Sequence, residues 1–132
     1  MIFWLARDSL FNISPEKLIR MFSKGKKSGK MKYRNLGNHG LKISEISVGT
    51  MYHGSYIPKE DSIKVLTEAI NQGINFIDCA DRYGIFDSDL EFDKRTRAEI
   101  ILGEFLKDYD REDLVISSKV FYKMRESPHL ST

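Results

Sequence analysis

Asp78, Tyr83 and Lys119 supply a carboxylate, a phenol and an ammonium, and each follows a short apolar run. Asp78 comes directly after Ile74-Asn75-Phe76-Ile77, and Tyr83 lies in the stretch that follows it. Lys119 closes Leu114-Val115-Ile116-Ser117-Ser118. An aspartate beside a lysine keeps both groups ionised, because opposite charges favour each other's charged form. An ammonium beside a phenol stabilises the phenolate, so the phenol becomes a better proton donor than free tyrosine with its pKa of about 10. Brought together, the three would form a proton-donating site. The same residue types also make a structural Asp–Lys pair with a packing tyrosine, and spacing alone leaves both readings open.

Whether these groups meet depends on the elements that carry them. Tyr33-Arg34-Asn35-Leu36 and Leu41-Lys42-Ile43 flank the turn-rich Gly37-Asn38-His39-Gly40, which predicts a hairpin. Ile46-Ser47-Val48-Gly49 reads as a short buried strand. Pro58 then opens a helix with Glu60 and Asp61 in its first turn, where the helix dipole favours acids. Ile63, Leu66 and Ile70 recur at helical spacing, Val65 and Ala69 widen the apolar face, and Gly73 is placed as the C-terminal cap. Residues 74–77 read as a second strand. Thr96 and Glu99 form a capping-box pattern ahead of Ile100, Leu102, Phe105 and Leu106, and residues 114–118 read as a third strand. The order β-α-β-α-β predicts an α/β fold with a parallel sheet and right-handed crossovers. Parallel strands put their carboxyl ends on one edge, where such folds build their sites. Gly49 and Thr50, Asp78 and Lys119 fall at those ends.

The same segments carry a family resemblance. Phe76-Ile77-Asp78-Cys79-Ala80-Asp81-Arg82-Tyr83-Gly84 resembles the signature that follows the second strand of aldo-keto reductases. Leu36-Gly37, Gly40-Leu41-Lys42-Ile43-Ser44 and Val48-Gly49-Thr50 are similar to that family's opening hairpin and first strand. Residues 97–104 and 115–121 are similar to its second helix and third strand. The wording is nearest to the branch that includes potassium-channel β-subunit-like reductases. The resemblance runs from about residue 32 to residue 122. It implies a (β/α)₈ TIM barrel that reduces aldehydes or ketones with NADPH. Carried over by position, Tyr83 would protonate the carbonyl oxygen, Lys119 would assist it, and Asp78 would pair with Lys119 and touch the nicotinamide ribose. Gly49, Thr50 and Met51 would lie against the cofactor.

The pattern also departs from the family. A complete barrel has eight strands in typically ~250 residues, and this sequence of 132 residues holds three strands of that type. The family's catalytic histidine after the fourth strand has no counterpart, and His129 reads as a terminal-loop residue. The expectation is therefore the amino-terminal part of a barrel, a fragment inactive alone, with open strand edges prone to self-association. A non-catalytic, reductase-like binding or regulatory module is the alternative, and a product with no function of its own is a third. Asp87, Asp89, Glu91 and Asp93 alternate like a calcium loop, but Phe92 stands where that loop needs glycine and Ala98 where it needs glutamate. No metal site is expected there. Cys79 reads as a small buried residue, His39 as a turn residue and His53 as a solvated loop histidine. The single cysteine excludes an internal disulfide and fits a reducing cytoplasm.

Charge separates the two ends of the chain. Residues 1–30 carry seven Lys/Arg against two Asp/Glu, whereas residues 31–132 carry fourteen against seventeen. The mildly acidic body argues against nucleic acid as a partner. The apolar start Met1-Ile2-Phe3-Trp4-Leu5-Ala6 stops at Arg7, too short for a membrane span of ~20 residues. Ser14-Pro15-Glu16 reads as a helix start for residues 15–22, followed by the basic Lys24-Gly25-Lys26-Lys27-Ser28-Gly29-Lys30 linker. That linker lacks the spacing of a phosphate-binding loop. The division is thus a peripheral extension over 1–30 and the barrel portion over 31–132. Limited proteolysis is expected to cut first between Lys24 and Lys30, and strong protection of that stretch would contradict this division.

Overall fold

The computed structural model describes residues 30–85 and 96–120. The expected helix over 15–22, most of the basic linker, the acidic segment and His129 lie outside the described residues. Strands β1 (Tyr33–Asn35) and β2 (Lys42–Ser44) form the expected antiparallel hairpin. Then come β3 (Val48–Gly49), helix α1 (Lys59–Asn71), β4 (Phe76–Asp78), helix α2 (Arg97–Phe105), two short 3₁₀ turns and β5 (Val115–Ser117). The last three strands make a parallel sheet in the order β3-β4-β5. Val48 pairs with Ile77 and Gly49 with Asp78. On the other side Ile77 pairs with Ile116 and Asp78 with Ser117.

The core lies between this sheet and the two helices. Leu66 and Ala69 of α1, Ala98, Leu102 and Phe105 of α2, and Val48, Ile77, Cys79 and Leu114 form one buried cluster. Side chains alternate across a strand, so Ile77 and Cys79, both fully buried, put Asp78 on the opposite face. Helix α1 ends as its glycine predicts. Gly73 adopts φ +87°, its N–H donates to Ile70 O, and the Ile74 N–H donates to Ala69 O.

Helix α2 departs from expectation in two respects. Ile100 is 56% exposed, and the buried stripe is Ala98, Ile101, Leu102 and Phe105. The capping box does not form either. Thr96 is left-handed at φ 64° and its side chain makes no capping bond. Two N–H groups at the helix start find backbone partners instead: Ala98 N–H donates to Tyr83 O at 3.2 Å, and Thr96 N–H to Asp81 O at 2.9 Å. The Glu99 carboxylate is thereby left to accept from Ser118 Oγ at 2.7 Å.

The hairpin is fastened at the amino ends of the parallel strands. Asn75, just before β4, accepts from Ser44 N–H at 2.7 Å and donates to Lys42 O at 3.0 Å. Tyr33 Oη donates to Gly73 O at 2.7 Å. Asn75→Ala removes both side-chain bonds and leaves the N–H of buried Ser44 unpaired. It should cost about 2 kcal/mol in urea unfolding. A loss below about 0.5 kcal/mol would show that other contacts hold the hairpin.

Candidate active site

Three strand ends converge on Asp78. On the β3 side, Thr50 N–H and Thr50 Oγ1 both donate to the Asp78 carbonyl, at 3.0 and 3.1 Å. On the β5 side, Ser117 Oγ donates to Asp78 Oδ1 at 2.6 Å. Lys119 Nζ then meets both carboxylate oxygens, at 2.8 Å from Oδ1 and 2.7 Å from Oδ2. It also donates to Cys79 O at 2.8 Å and to Tyr83 Oη at 3.3 Å. The ammonium stands 4.8 Å from the centre of the Tyr83 ring. Burial alone would lower the Lys119 pKa. Hydrogen bonds that Lys119 donates to Asp78 and Tyr83, with the charges of those groups, outweigh that and hold it above the ordinary lysine value.

The turn that carries Tyr83 is pinned by its backbone. Tyr83 N–H donates to Ala80 O, Tyr83 O accepts from α2, and Gly84 N–H donates to Met51 O at 2.9 Å. Gly84 has φ +81°, and a Cβ there would sit 2.2 Å from His53 O and 2.7 Å from Ala98 N. Only glycine fits where the loops after β3 and β4 and the start of α2 touch.

The structure thus brings Gly49, Thr50, Asp78, Tyr83 and Lys119 to one sheet edge. Gly49 and Met51 are exposed there, whereas Thr50 is fully buried with its hydroxyl engaged by Asp78. Ser117 belongs to this group and was not singled out by the sequence reading. Its register opposite Asp78 was the only available signal, and that required the strand pairing. Cys79 is buried as expected, and burial pushes its thiol pKa up, so it stays protonated at neutral pH. Among the described residues, no group of three or more His, Cys, Asp or Glu is placed to hold a metal.

His53 differs from expectation. It is 3% exposed rather than solvated, and its Nδ1 has no hydrogen-bond partner. The loop after β3 packs against the Gly84 turn and α2, and His53 is buried within that loop.

These features define a parallel α/β fold with its polar cluster on the carboxyl rim, the amino-terminal part of a (β/α)₈ barrel. The profile of the aldo/keto reductase family matches residues 45–132, and the chain belongs to that family. A curated relative from Arabidopsis thaliana, named as a voltage-gated potassium channel subunit beta, is 33% identical over 95 residues, which is 70% of this chain and 26% of the relative. An aldo-keto reductase from Bacillus halodurans, solved in its holo form, is 30% identical with a TM-score of 0.54, covering 68% of this chain and 26% of that one. A structure from Pseudomonas aeruginosa, titled as an aldo-keto reductase, is 37% identical with a TM-score of 0.53, covering 67% and 30%. The chain therefore spans about a quarter of the length of the curated relatives it matches. Among the described residues, no helix is long and apolar enough to cross a membrane.

The buried imidazole gives a pH prediction. Burial lowers the His53 pKa from 6.5 to about 4. In the unfolded chain the ring takes up its proton near 6.5, so between these values the unfolded state binds the extra proton. The contribution is fully present above pH ~6.5 and is lost as pH falls toward ~4, by roughly 3 kcal/mol. Unfolding free energies measured across that window should fall less steeply for His53→Leu than for the parent. Parallel slopes would show that the ring protonates in place.

Proposed function

We propose that this chain contributes the proton-donating part of an NAD(P)H-dependent reductase of aldehydes or ketones, with NADPH the cofactor that the resemblance implies. The observation that carries the reading is the lysine that grips both Asp78 oxygens while reaching the Tyr83 hydroxyl. Tyr83 donates its proton to the carbonyl oxygen. Lys119 stabilises the charge left on the phenolate, and Asp78 keeps the ammonium in place. The hydride for the carbonyl carbon would come from a nicotinamide bound at this rim. Negative charge develops on oxygen during that reduction, and a pre-placed donor backed by a cation stabilises it.

The rim residues suit such a cofactor. The space where a Gly49 side chain would stand holds no atom within 4 Å, so a flat ring can approach the backbone. Gly49, Met51 and the Asp78 carboxylate would hold the nicotinamide and its ribose. Thr50 serves from beneath, by fixing the Asp78 main chain. The holo form of the Bacillus halodurans relative agrees with a bound cofactor in this family. Activity belongs, on this reading, to a barrel whose remaining strands enclose the cofactor, and the 132-residue chain alone is inactive. Misplacing reacting atoms by about 1 Å can cost on the order of 100-fold. The outer edges of β3 and β5, which pair with no strand among the described residues, support self-association of the isolated chain. The lone, protonated Cys79 suits a reducing cytoplasm.

A second reading, a non-catalytic binding or regulatory module, is supported by relatives named as potassium channel subunits beta. Cofactor absorbance, followed with NADPH and an aromatic aldehyde, separates the two. The chain alone should give no turnover. A barrel completed with the missing strands should reduce the aldehyde, and Tyr83→Phe should lower its rate by ~100-fold or more. A completed barrel that binds a partner protein without turnover would favour the second reading. Turnover by the chain alone that vanishes in Tyr83→Phe would show that three strands suffice.

A further inference from the structure

Asp78 and Ser117 face each other across the β4–β5 pair, and the serine hydroxyl donates to Oδ1 at 2.6 Å. Lys119 bonds that same oxygen and its neighbour. The ion pair is partly exposed, with side-chain accessibilities of 48% for Lys119 and 32% for Asp78. An exposed pair of this kind is weak by itself, because holding both side chains in one geometry costs entropy. Ser117 adds a short, uncharged point of attachment from a neighbouring strand. Thr50 holds the Asp78 main chain from the other side, so Ser117 is what fixes the carboxylate plane toward Lys119. The adjacent Ser118 is engaged elsewhere, by Glu99, and does not duplicate the contact.

We infer that Ser117 is a positioning residue for the proton-donating group: its hydroxyl sets the Asp78 carboxylate, which in turn sets the Lys119 ammonium beside Tyr83. Ser117 acts through Asp78, sharing Oδ1 with Lys119 while the lysine also takes Oδ2. The inference rests on the reading of Asp78, Tyr83 and Lys119 given above. A merely structural serine would satisfy its own hydroxyl and leave the lysine unaffected when removed.

The test uses the full 132-residue chain with ¹⁵N-labelled lysine and neither cofactor nor carbonyl. Proton exchange with water is followed at the Lys119 ammonium, with the Lys59 ammonium, paired to Glu104 on the helices, as internal reference. Ser117→Ala and Ser117→Val remove the hydroxyl, and Ser117→Thr keeps it. Exchange at Lys119 should rise about fivefold in the alanine and valine variants and stay within about twofold of the parent in the threonine variant. Lys59 should not change. Unaltered exchange at Lys119 in the alanine and valine variants would overturn the inference. So would equal acceleration in the threonine variant, or acceleration shared by Lys59. Should the alanine variant fail to fold, valine and threonine share a shape suited to a strand and decide between themselves. No turnover is measured, so this result and the aldehyde assay can fail independently.

Discussion

The Asp78 carboxylate ties three parallel strands into one site. Its main chain is bonded from the strand before it, its side chain from the strand after it, and its charge is met by Lys119 at the third strand end. Apolar neighbours dictate that placement. Ile77 and Cys79 are fully buried against the helices, so Asp78 between them must face the other way. A register slip of one residue would exchange the two faces. Ile77 would then stand at the rim and the carboxylate would be driven into the core without a partner. Hydrophobic patterning fixes register, and register delivers the polar group.

The two ends of the sheet do different work. At the amino ends, Asn75 and Gly73 hold the hairpin, and their bonds contribute stability without any chemistry. At the carboxyl ends, the polar groups lie on the last strand residues and on the loops that follow, whose backbones are fixed by hydrogen bonds to one another and to helix α2. The Tyr83 carbonyl serves as a partner for the first turn of α2 while its hydroxyl faces Lys119. The phenol is thus placed by the helix start as well as by its own strand. An acid that must act on a substrate atom benefits from this rigidity, because little reorganisation remains when charge develops.

Much of this was legible in the sequence. The hairpin, the alternation of strands and helices, the Gly73 cap and the meeting of Asp78 with Lys119 all follow from period, punctuation and the geometry of parallel strands. What escaped depends on contacts between distant segments. The Thr96–Glu99 pattern has the spacing of a capping box, but carbonyls from the loop after β4 reach the helix start first. Ser117 and Ser118 look equivalent in a run of two serines, and only pairing with β4 shows which one faces the carboxylate. His53 carries no local sign of burial, since the segments its loop packs against lie some thirty and forty residues later. Ile100 and Ile101 are chemically alike, and the angle at which α2 docks decides which is buried.

The fixed points on either side of the acidic stretch bear on how this family member can vary. Gly84 is bonded to Met51, and Thr96 to Asp81, so the chain leaves and re-enters the rim at two anchored positions. The turn that carries the proton donor is thereby held by backbone bonds at both of its ends. At Gly84 evolutionary drift has no latitude, because any side chain would collide with the backbone.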